Sequence, residues 1–169
     1  LGLVKMLIDI GDPQDRKTWP STEISRKIHY DRYTGIFFNT QNQQFSGVAG
    51  RNLRQALAYG TDKSRWSGAS QAKSPINANS WAYSENIKTY DFDLDHAKQL
   101  LSKVEKLPES LTINTVPTYL SLAEDIKKDW SALGFEIKVQ VSPDIPSDSQ
   151  VLLLAQAIPI DPDQYALWH

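Results

Sequence analysis

The chain has 169 residues and a formal net charge of −2 at pH 7, with 40% hydrophobic residues, which is enough for about one domain with an ordinary core. It contains no block of like charge, so the basic surface of a nucleic-acid-binding protein is missing and no nucleic-acid partner is expected. The longest apolar run, at residues 151–155, is far shorter than the ~20 residues that span a membrane.

The first half of the chain predicts one strand and one helix beyond an irregular start. Residues 1–12 suggest a short helix or strand, and the alternation at 23–30 suits an exposed strand. The continuous apolar run at 36–38 predicts a strand that is buried on both faces. A helix is expected at 50–60, where Leu53, Ala56, Leu57 and Gly60 share one stripe.

The middle of the chain predicts a long loop and then a capped helix. Residues 64–90 are rich in Ser, Asn and Ala, and we expect the loop to be anchored by Trp66, Trp81, Tyr83 and Tyr90. For Trp66 and Trp81 the alternative, that they line a sugar or peptide pocket, is open. Asp93 or Asp95 can cap the following helix, which runs to about residue 106. Its buried stripe is Leu94, Ala97, Leu101 and Val104.

The last third predicts a strand–helix–strand unit and one more strand. Residues 111–116 and 135–141 alternate like strands, and the helix at 119–133 between them ends at Gly134, which is well placed as a left-handed cap. Strands joined in this way form a parallel crossover, so the predicted class is α/β. A further apolar strand follows at 151–157.

No catalytic or metal-binding motif is found. Asp91, Asp93 and Asp95 have the opening spacing of a calcium loop, but the sixth position is His96 and the twelfth is Ser102, so helix capping is the better interpretation. The histidines His29, His96 and His169 are far apart in sequence. No nucleophile–base pair stands out, so no catalytic residue, metal ligand or cofactor is predicted and the chain is not expected to be an enzyme.

The strongest functional signal is the exit of the strand 151–157. In open α/β sheets, ligands bind beyond the carboxyl ends of the strands, and this exit continues through residues 158–165. Pro162 suits the first position of a helix, with Asp161 as its cap. Whether Asp161 only caps that helix or also faces a ligand is open, and the two roles are compatible.

The order of several segments is informative where the single segments are not. These segments are 33–40, 51–63, 74–76, 90–93, 97–101, 133–135 and 161–165. As a set they resemble family 5 of the extracellular solute-binding proteins, the peptide- and nickel-binding components of ABC importers. The resemblance covers residues 33–169. It implies a truncated α/β lobe of the type II periplasmic-binding-protein-like fold, with a mixed sheet flanked by helices. Residues 1–32 would then connect it to the first lobe.

The resemblance also implies a function. Such a lobe closes with the first lobe of the same parent chain over a peptide or a similar small solute, and the closed form docks on a membrane permease. The backbone of strand 151–157 would pair with an extended peptide. The parent would be extracellular or periplasmic and membrane-anchored. The candidate ligand-binding residues are Asn39, Gln156, Ala157, Ile158, Asp161, Tyr165 and Trp168.

The chain departs from the family pattern in three places, and two of them, Ile158 and the short loop, support an alternative. Ile158 stands where peptide binders commonly carry an acidic residue for the peptide's amino terminus, and Ala155 stands where an aromatic residue is common. The stretch between residues 63 and 74 is also shorter than usual. The alternative is a receptor-like lobe that has lost solute binding and serves as a surface scaffold or protein-interaction module.

Overall fold

The computed structural model describes residues 18–20, 23–25, 31–66 and 71–163. Within them, the strands are β1 (Arg32–Phe38), β2 (Ser110–Thr115), β3 (Glu136–Val141) and β4 (Val151–Ala157). The helices are α1 (Gly47–Tyr59), α2 (Leu94–Leu101) and α3 (Leu120–Ser131), and short 3-10 helices occupy Gln43–Phe45, Lys63–Trp66 and Pro117–Tyr119. The element expected at 1–12 lies outside the described residues. Of the strand expected at 23–30, only 23–25 are described, and they are not a strand.

The four strands form one mixed sheet in the order β1-β4-β2-β3. Strand β2 pairs in parallel with β3 on one side and with β4 on the other, whereas β1 pairs antiparallel with β4. The parallel pairing of β2 and β3 confirms the predicted crossover through α3. The α/β class with a mixed sheet is therefore confirmed.

The expectation that the run at 36–38 is buried on both faces is wrong. Strand β1 lies at an edge of the described sheet and has β4 as its neighbour there. Its residues Ile36, Phe37 and Phe38 are only half-buried. Ile36 and Phe38 pack against the core, while Phe37 lies on the opposite face and contacts the ring of Tyr33, with 6.2 Å between the ring centroids. Apolar side chains on both faces therefore do not require a central strand.

The main core lies between the sheet and the helices. The predicted stripe of α1 is confirmed at Leu53, Ala56 and Leu57, and α3 buries Ala123, Ile126 and Trp130. They pack with inward residues of the sheet: Leu111, Ile113, Ile137, Val151 and Leu153. The side chain of Trp130 is fully buried.

Helix ends follow the expected chemistry in two places. The Asp93 carboxylate accepts a hydrogen bond from the His96 amide at 2.8 Å, so Asp93 caps α2 as predicted. Gly134 has a φ of 99° after α3, a conformation that favours glycine, so its role in ending the helix is confirmed. Helix α2 stops at Leu101, earlier than expected, because the chain turns there while Val104 still packs on the core.

Candidate functional site

The carboxyl ends of three parallel strands meet at one side of the sheet. Strands β2, β3 and β4 run in the same direction, so Thr115, Val141 and Ala157 end at this side. Strand β1 runs the other way, and its first residue Arg32 is paired with Ala157. The side where ligands bind in open α/β sheets is therefore made from all four strands.

Strand β4 extends past its neighbour β2 at this side. The last registered pair of the two strands is Thr115 with Leu153, and β4 continues to Ala157. The four residues 154–157 pair only with β1. The opposite edge of this extension has no strand partner among the described residues.

The hydrogen bonds between β1 and β4 show in which direction the backbone groups of this extension point. The amide of Asn39 donates to the Gln150 carbonyl at 3.0 Å, and the amide of Ile158 donates to the Asp31 carbonyl at 2.7 Å. Backbone groups alternate sides along a strand, so even-numbered residues of β4 face β1. The Leu153 carbonyl confirms the alternation, because it accepts the Thr115 hydroxyl of β2 at 2.7 Å. Ala155 and Ala157 therefore direct their N–H and C=O groups to the free edge.

The free edge is sterically accessible. Ala155 and Ala157 are exposed, and their methyl side chains leave the backbone open to approach. The Ala157 carbonyl accepts the side-chain amide of Gln156 at 3.0 Å. An edge of this kind can pair with an extended chain through main-chain hydrogen bonds.

The polar groups around the exit are exposed or half-buried. An Asp161 carboxylate oxygen accepts the Asp163 amide at 3.0 Å, which is a local turn of the kind that precedes a helix. Pro162 was expected to begin a helix, but Pro162 and Asp163 are not helical, and the residues that follow lie outside the described part of the chain. Tyr33, which is paired with Gln156, has its phenol pKa raised by burial. The phenol is therefore a neutral hydrogen-bonding group at physiological pH.

The structure places four of the seven predicted site residues at the exit. Gln156, Ala157, Ile158 and Asp161 are consecutive or nearly so, but they are not equivalent. Ile158 is only 7% exposed; its amide completes the β1 ladder, and its carbonyl accepts the Asn77 side-chain amide at 3.4 Å. Ile158 therefore supports the exit from within, while Ala157 and Asp161 are exposed there.

Asn39 is not brought to the exit. It pairs with Gln150 just before β4 begins, so it lies at the opposite end of β4 from Gln156. Its side-chain oxygen accepts the Gln41 amide at 3.1 Å, so it stabilises the turn after β1. Tyr165 and Trp168 lie outside the described residues.

The loop at 74–83 was missed as part of this site. Asn77 is 3% exposed and connects the loop to Ile158. Trp81, which was expected to anchor the long loop, is instead 88% exposed; that expectation is wrong. An Asn followed by small polar residues is a turn signal, but such a signal does not show which strand the turn will contact.

The described part of the chain contains no group of three or more His, Asp or Glu side chains arranged to hold a metal ion. None of its helices is long and apolar enough to cross a bilayer.

Comparisons with known proteins place this lobe in a family. Residues 7–157 match the model of the bacterial extracellular solute-binding proteins, family 5 Middle. The chain belongs to this family, as its segment order predicted. Its fold is one lobe of the type II periplasmic-binding-protein-like kind, and the family consists of extracellular solute-binding proteins.

The individual relatives match only part of this chain and a smaller part of their own length. Heme-binding protein A of Haemophilus influenzae is 33% identical over 113 residues, which cover 59% of this chain and 20% of that protein. The dipeptide-binding protein of Escherichia coli is 29% identical over 120 residues, which cover 62% of this chain and 22% of that protein. The chain therefore spans about a fifth of the curated relatives that it matches.

A solved structure shares the fold. It is the ABC transporter-associated periplasmic binding protein DppA from Helicobacter pylori in complex with the peptide STSA. The TM-score is 0.63 at 22% identity, and the match covers 75% of this chain and 27% of that one. At this identity the likeness supports the fold alone.

Proposed function

We propose that this chain is a ligand-binding lobe of an ABC importer's extracellular solute-binding protein, and that it holds an extended peptide by strand addition. The peptide lies along the free edge of β4, where Ala155 and Ala157 supply the main-chain hydrogen bonds. Such a lobe binds and releases its solute without chemical change, so the protein is not an enzyme.

One observation carries the proposal. Strand β4 continues four residues beyond its pairing with β2, and this extension ends on the side of the sheet where ligands bind in α/β folds. Unpaired strand edges are normally short, charged or covered, because they pair with other chains. Here the edge carries two exposed alanines, which suits a guest backbone. This observation also favours a receptor over a lobe that has lost solute binding.

The proposed mechanism is closure of two lobes. The first lobe of the parent chain covers the peptide from the other side, and the peptide's higher affinity for the closed form shifts the population to it. The closed form then docks on the membrane permease of the importer, outside the cell or in the periplasm, with the parent anchored to the membrane. The isolated 169-residue lobe binds the peptide only weakly, because half of the contacts are missing.

The test is calorimetric titration of the parent protein with tetrapeptides. Strand addition depends on alternate peptide N–H groups, so a peptide that is N-methylated at one alternate set of bonds should lose at least about 100-fold in affinity. Methylation of the other set should have a much smaller effect. Equal losses for both sets would contradict strand addition.

Haem is the comparison ligand in the same experiment, because one relative is named heme-binding protein A. We expect peptides to saturate the protein at concentrations where haem does not. Binding of haem with no measurable binding of any peptide would overturn the proposed ligand class.

A further inference from the structure

The free edge of β4 is closed by a side chain at the point where β2 ends. The Thr115 hydroxyl donates to the Leu153 carbonyl at 2.7 Å, and both residues are buried. Leu153 is also the last residue of β4 that is in register with β2. A guest chain therefore finds this carbonyl already bonded, and the first main-chain group that is open to it is the N–H of Ala155.

A proline closes the other end of the same edge. Backbone groups alternate sides along a strand, so the next residue in the alternation after Ala155 and Ala157 is Pro159. Proline has no N–H group, and β4 itself ends at Ala157. The edge therefore offers a guest the N–H and C=O groups of two residues, Ala155 and Ala157.

One of these backbone groups already has a partner within the lobe. The side-chain amide of Gln156 donates to the Ala157 carbonyl at 3.0 Å. Because the two groups belong to adjacent residues, this bond forms without ordering any other part of the chain. The groups left for a guest are the N–H and C=O of Ala155 and the N–H of Ala157.

A short stretch of peptide is enough to pair with the groups that remain. Along a strand edge, successive bonds are made by guest residues that are two positions apart. Whether the guest runs parallel or antiparallel to β4, the bonds to Ala155 and to the Ala157 N–H then involve two guest residues with one residue between them. A further bond, from a guest N–H to the Ala157 carbonyl, has to displace the amide of Gln156.

We propose that Gln156 is a specificity-determining residue of the site at β4, and that its side-chain amide takes the place of a peptide N–H at the Ala157 carbonyl. The lobe then holds a three-residue stretch of the peptide by its backbone, between the limits set by Thr115 and Pro159. This inference rests on the proposed function. It adds to it the length of peptide that this lobe holds by main-chain hydrogen bonds.

The exchange of donors explains why the further bond adds little affinity in the wild type. A peptide N–H that reaches the Ala157 carbonyl replaces the Gln156 amide, so one hydrogen bond forms while another is lost. Removal of the Gln156 donor changes this balance, because the carbonyl is then open to the peptide. A shorter side chain at position 156 should therefore tighten binding, which a merely structural role would not do.

The experiment is calorimetric titration of the parent protein with a capped alanine pentapeptide and with its esters, in each of which an oxygen atom replaces one peptide N–H. In the wild type, the ester at the N–H that meets the Ala155 carbonyl should weaken Kd by roughly tenfold. The ester two positions away, at the N–H nearest the Ala157 carbonyl, should weaken it by less than about twofold.

The variants of Gln156 should change this pattern. Gln156→Ala should tighten the Kd of the all-amide peptide by roughly fivefold, and the second ester should then cost about fivefold. Gln156→Met keeps most of the side-chain volume without the donor and should give the same result. Gln99→Ala, at an exposed glutamine of α2, is the matched control and should behave like the wild type.

The outcomes separate this inference from the proposed function. If the wild type binds the peptide and the cost of every ester is unchanged in Gln156→Ala, the role of Gln156 is refuted while peptide binding stands. Weaker binding of the all-amide peptide by Gln156→Ala, or the same tightening in Gln99→Ala, would also refute it. If no peptide binds the wild type, the proposed function itself fails.

Discussion

The indole N–H of Trp130 donates to two acceptors at the end of α1, the Leu57 carbonyl at 3.1 Å and the Thr61 hydroxyl at 2.9 Å. The Thr61 hydroxyl in turn donates to the same Leu57 carbonyl at 2.7 Å. All three groups are buried, so this closed set of hydrogen bonds joins α3 to α1 where water cannot replace it.

Trp130→Phe should therefore be strongly destabilising. It removes the shared donor and leaves unfilled volume in the core, and we expect the free energy of unfolding to fall by about 3 kcal/mol. Urea denaturation measures this loss. The conservative control Trp19→Phe, at an exposed site, should change stability by less than about 0.5 kcal/mol.

The hydrogen bond from Trp130 to Thr61 can be tested separately from the packing of the indole. In a double-mutant cycle with Thr61→Val, the two changes should be non-additive by about 1 kcal/mol, because they disrupt one hydrogen-bonded set. Simple additivity would show that the indole contributes only packing.

Proline substitutions should show which edge of the β1–β4 pair is needed for peptide binding. Ala155 and Thr34 are paired, and both point their N–H groups away from the ladder, Ala155 to the proposed peptide and Thr34 to the outer edge of β1. Ala155→Pro should weaken peptide binding by at least about tenfold, because it removes a donor and blocks the edge. Calorimetry on the parent protein gives the affinities.

Thr34→Pro is the matched control for that experiment. It changes the same ladder position on the other strand, and the peptide Kd should move by less than about twofold. Equal losses of affinity for the two variants would mean that the ladder as a whole is needed and not the free edge of β4.

Asn77→Asp tests the attachment of the 74–83 loop. Aspartate keeps the oxygen that accepts the Asn79 amide but cannot donate to the Ile158 carbonyl, and it places a carboxylate at a site that is 3% exposed. We expect a loss of about 2 kcal/mol in the free energy of unfolding at pH 7. The exposed neighbour Asn79→Asp should remain within about 0.5 kcal/mol of wild type.

The pKa of Asp62 predicts a specific response to acid. The Ser64 hydroxyl, at 2.6 Å, and the Ser64 amide, at 3.0 Å, lower the pKa of this carboxyl below 3.8, and Arg65 and Lys63 add to the effect. A lowered pKa contributes stability above the unfolded value, which is lost as pH falls through the folded value. The wild type should therefore melt at a higher Tm than Asp62→Asn at pH 7.

That difference in Tm should shrink as the pH is lowered below 3.8 and be nearly absent once Asp62 is protonated in both states. Thermal melts at a series of pH values from neutral to strongly acidic give the profile. A difference that stays constant across the series would show that the charge of Asp62 is not the cause.

Local patterns predicted much of the fold. The crossover from β2 to β3 was predicted because each of its parts has its own periodicity and Gly134 marks the helix end. The cap at Asp93 was equally local. The edge position of β1 could not be predicted in this way, because a run such as Ile36–Phe38 has the same pattern whether its second face is covered by a helix or partly shielded by Tyr33.

Local patterns also predicted part of the candidate site. Gln156, Ala157 and Asp161 follow one strand, so a single general rule about strand ends placed them together. Asn39 was separated from them by the antiparallel direction of β1 beside β4, which is a long-range property of the sheet. The exposure of Trp81 depends on how two turns are fixed by Asn77, and an aromatic residue in a polar loop can equally well be buried or exposed.

The antiparallel placement of β1 has a mechanical consequence. Asp31 and Ile158 are hydrogen-bonded side by side, so the chain enters β1 and leaves β4 at the same corner of the sheet. A force that pulls apart the segment before β1 and the segment after β4 would break the β1–β4 hydrogen bonds one after another from that corner. It would not load all of these hydrogen bonds at once. The first bonds to open would be those at the carboxyl end of β4, where the peptide is proposed to bind.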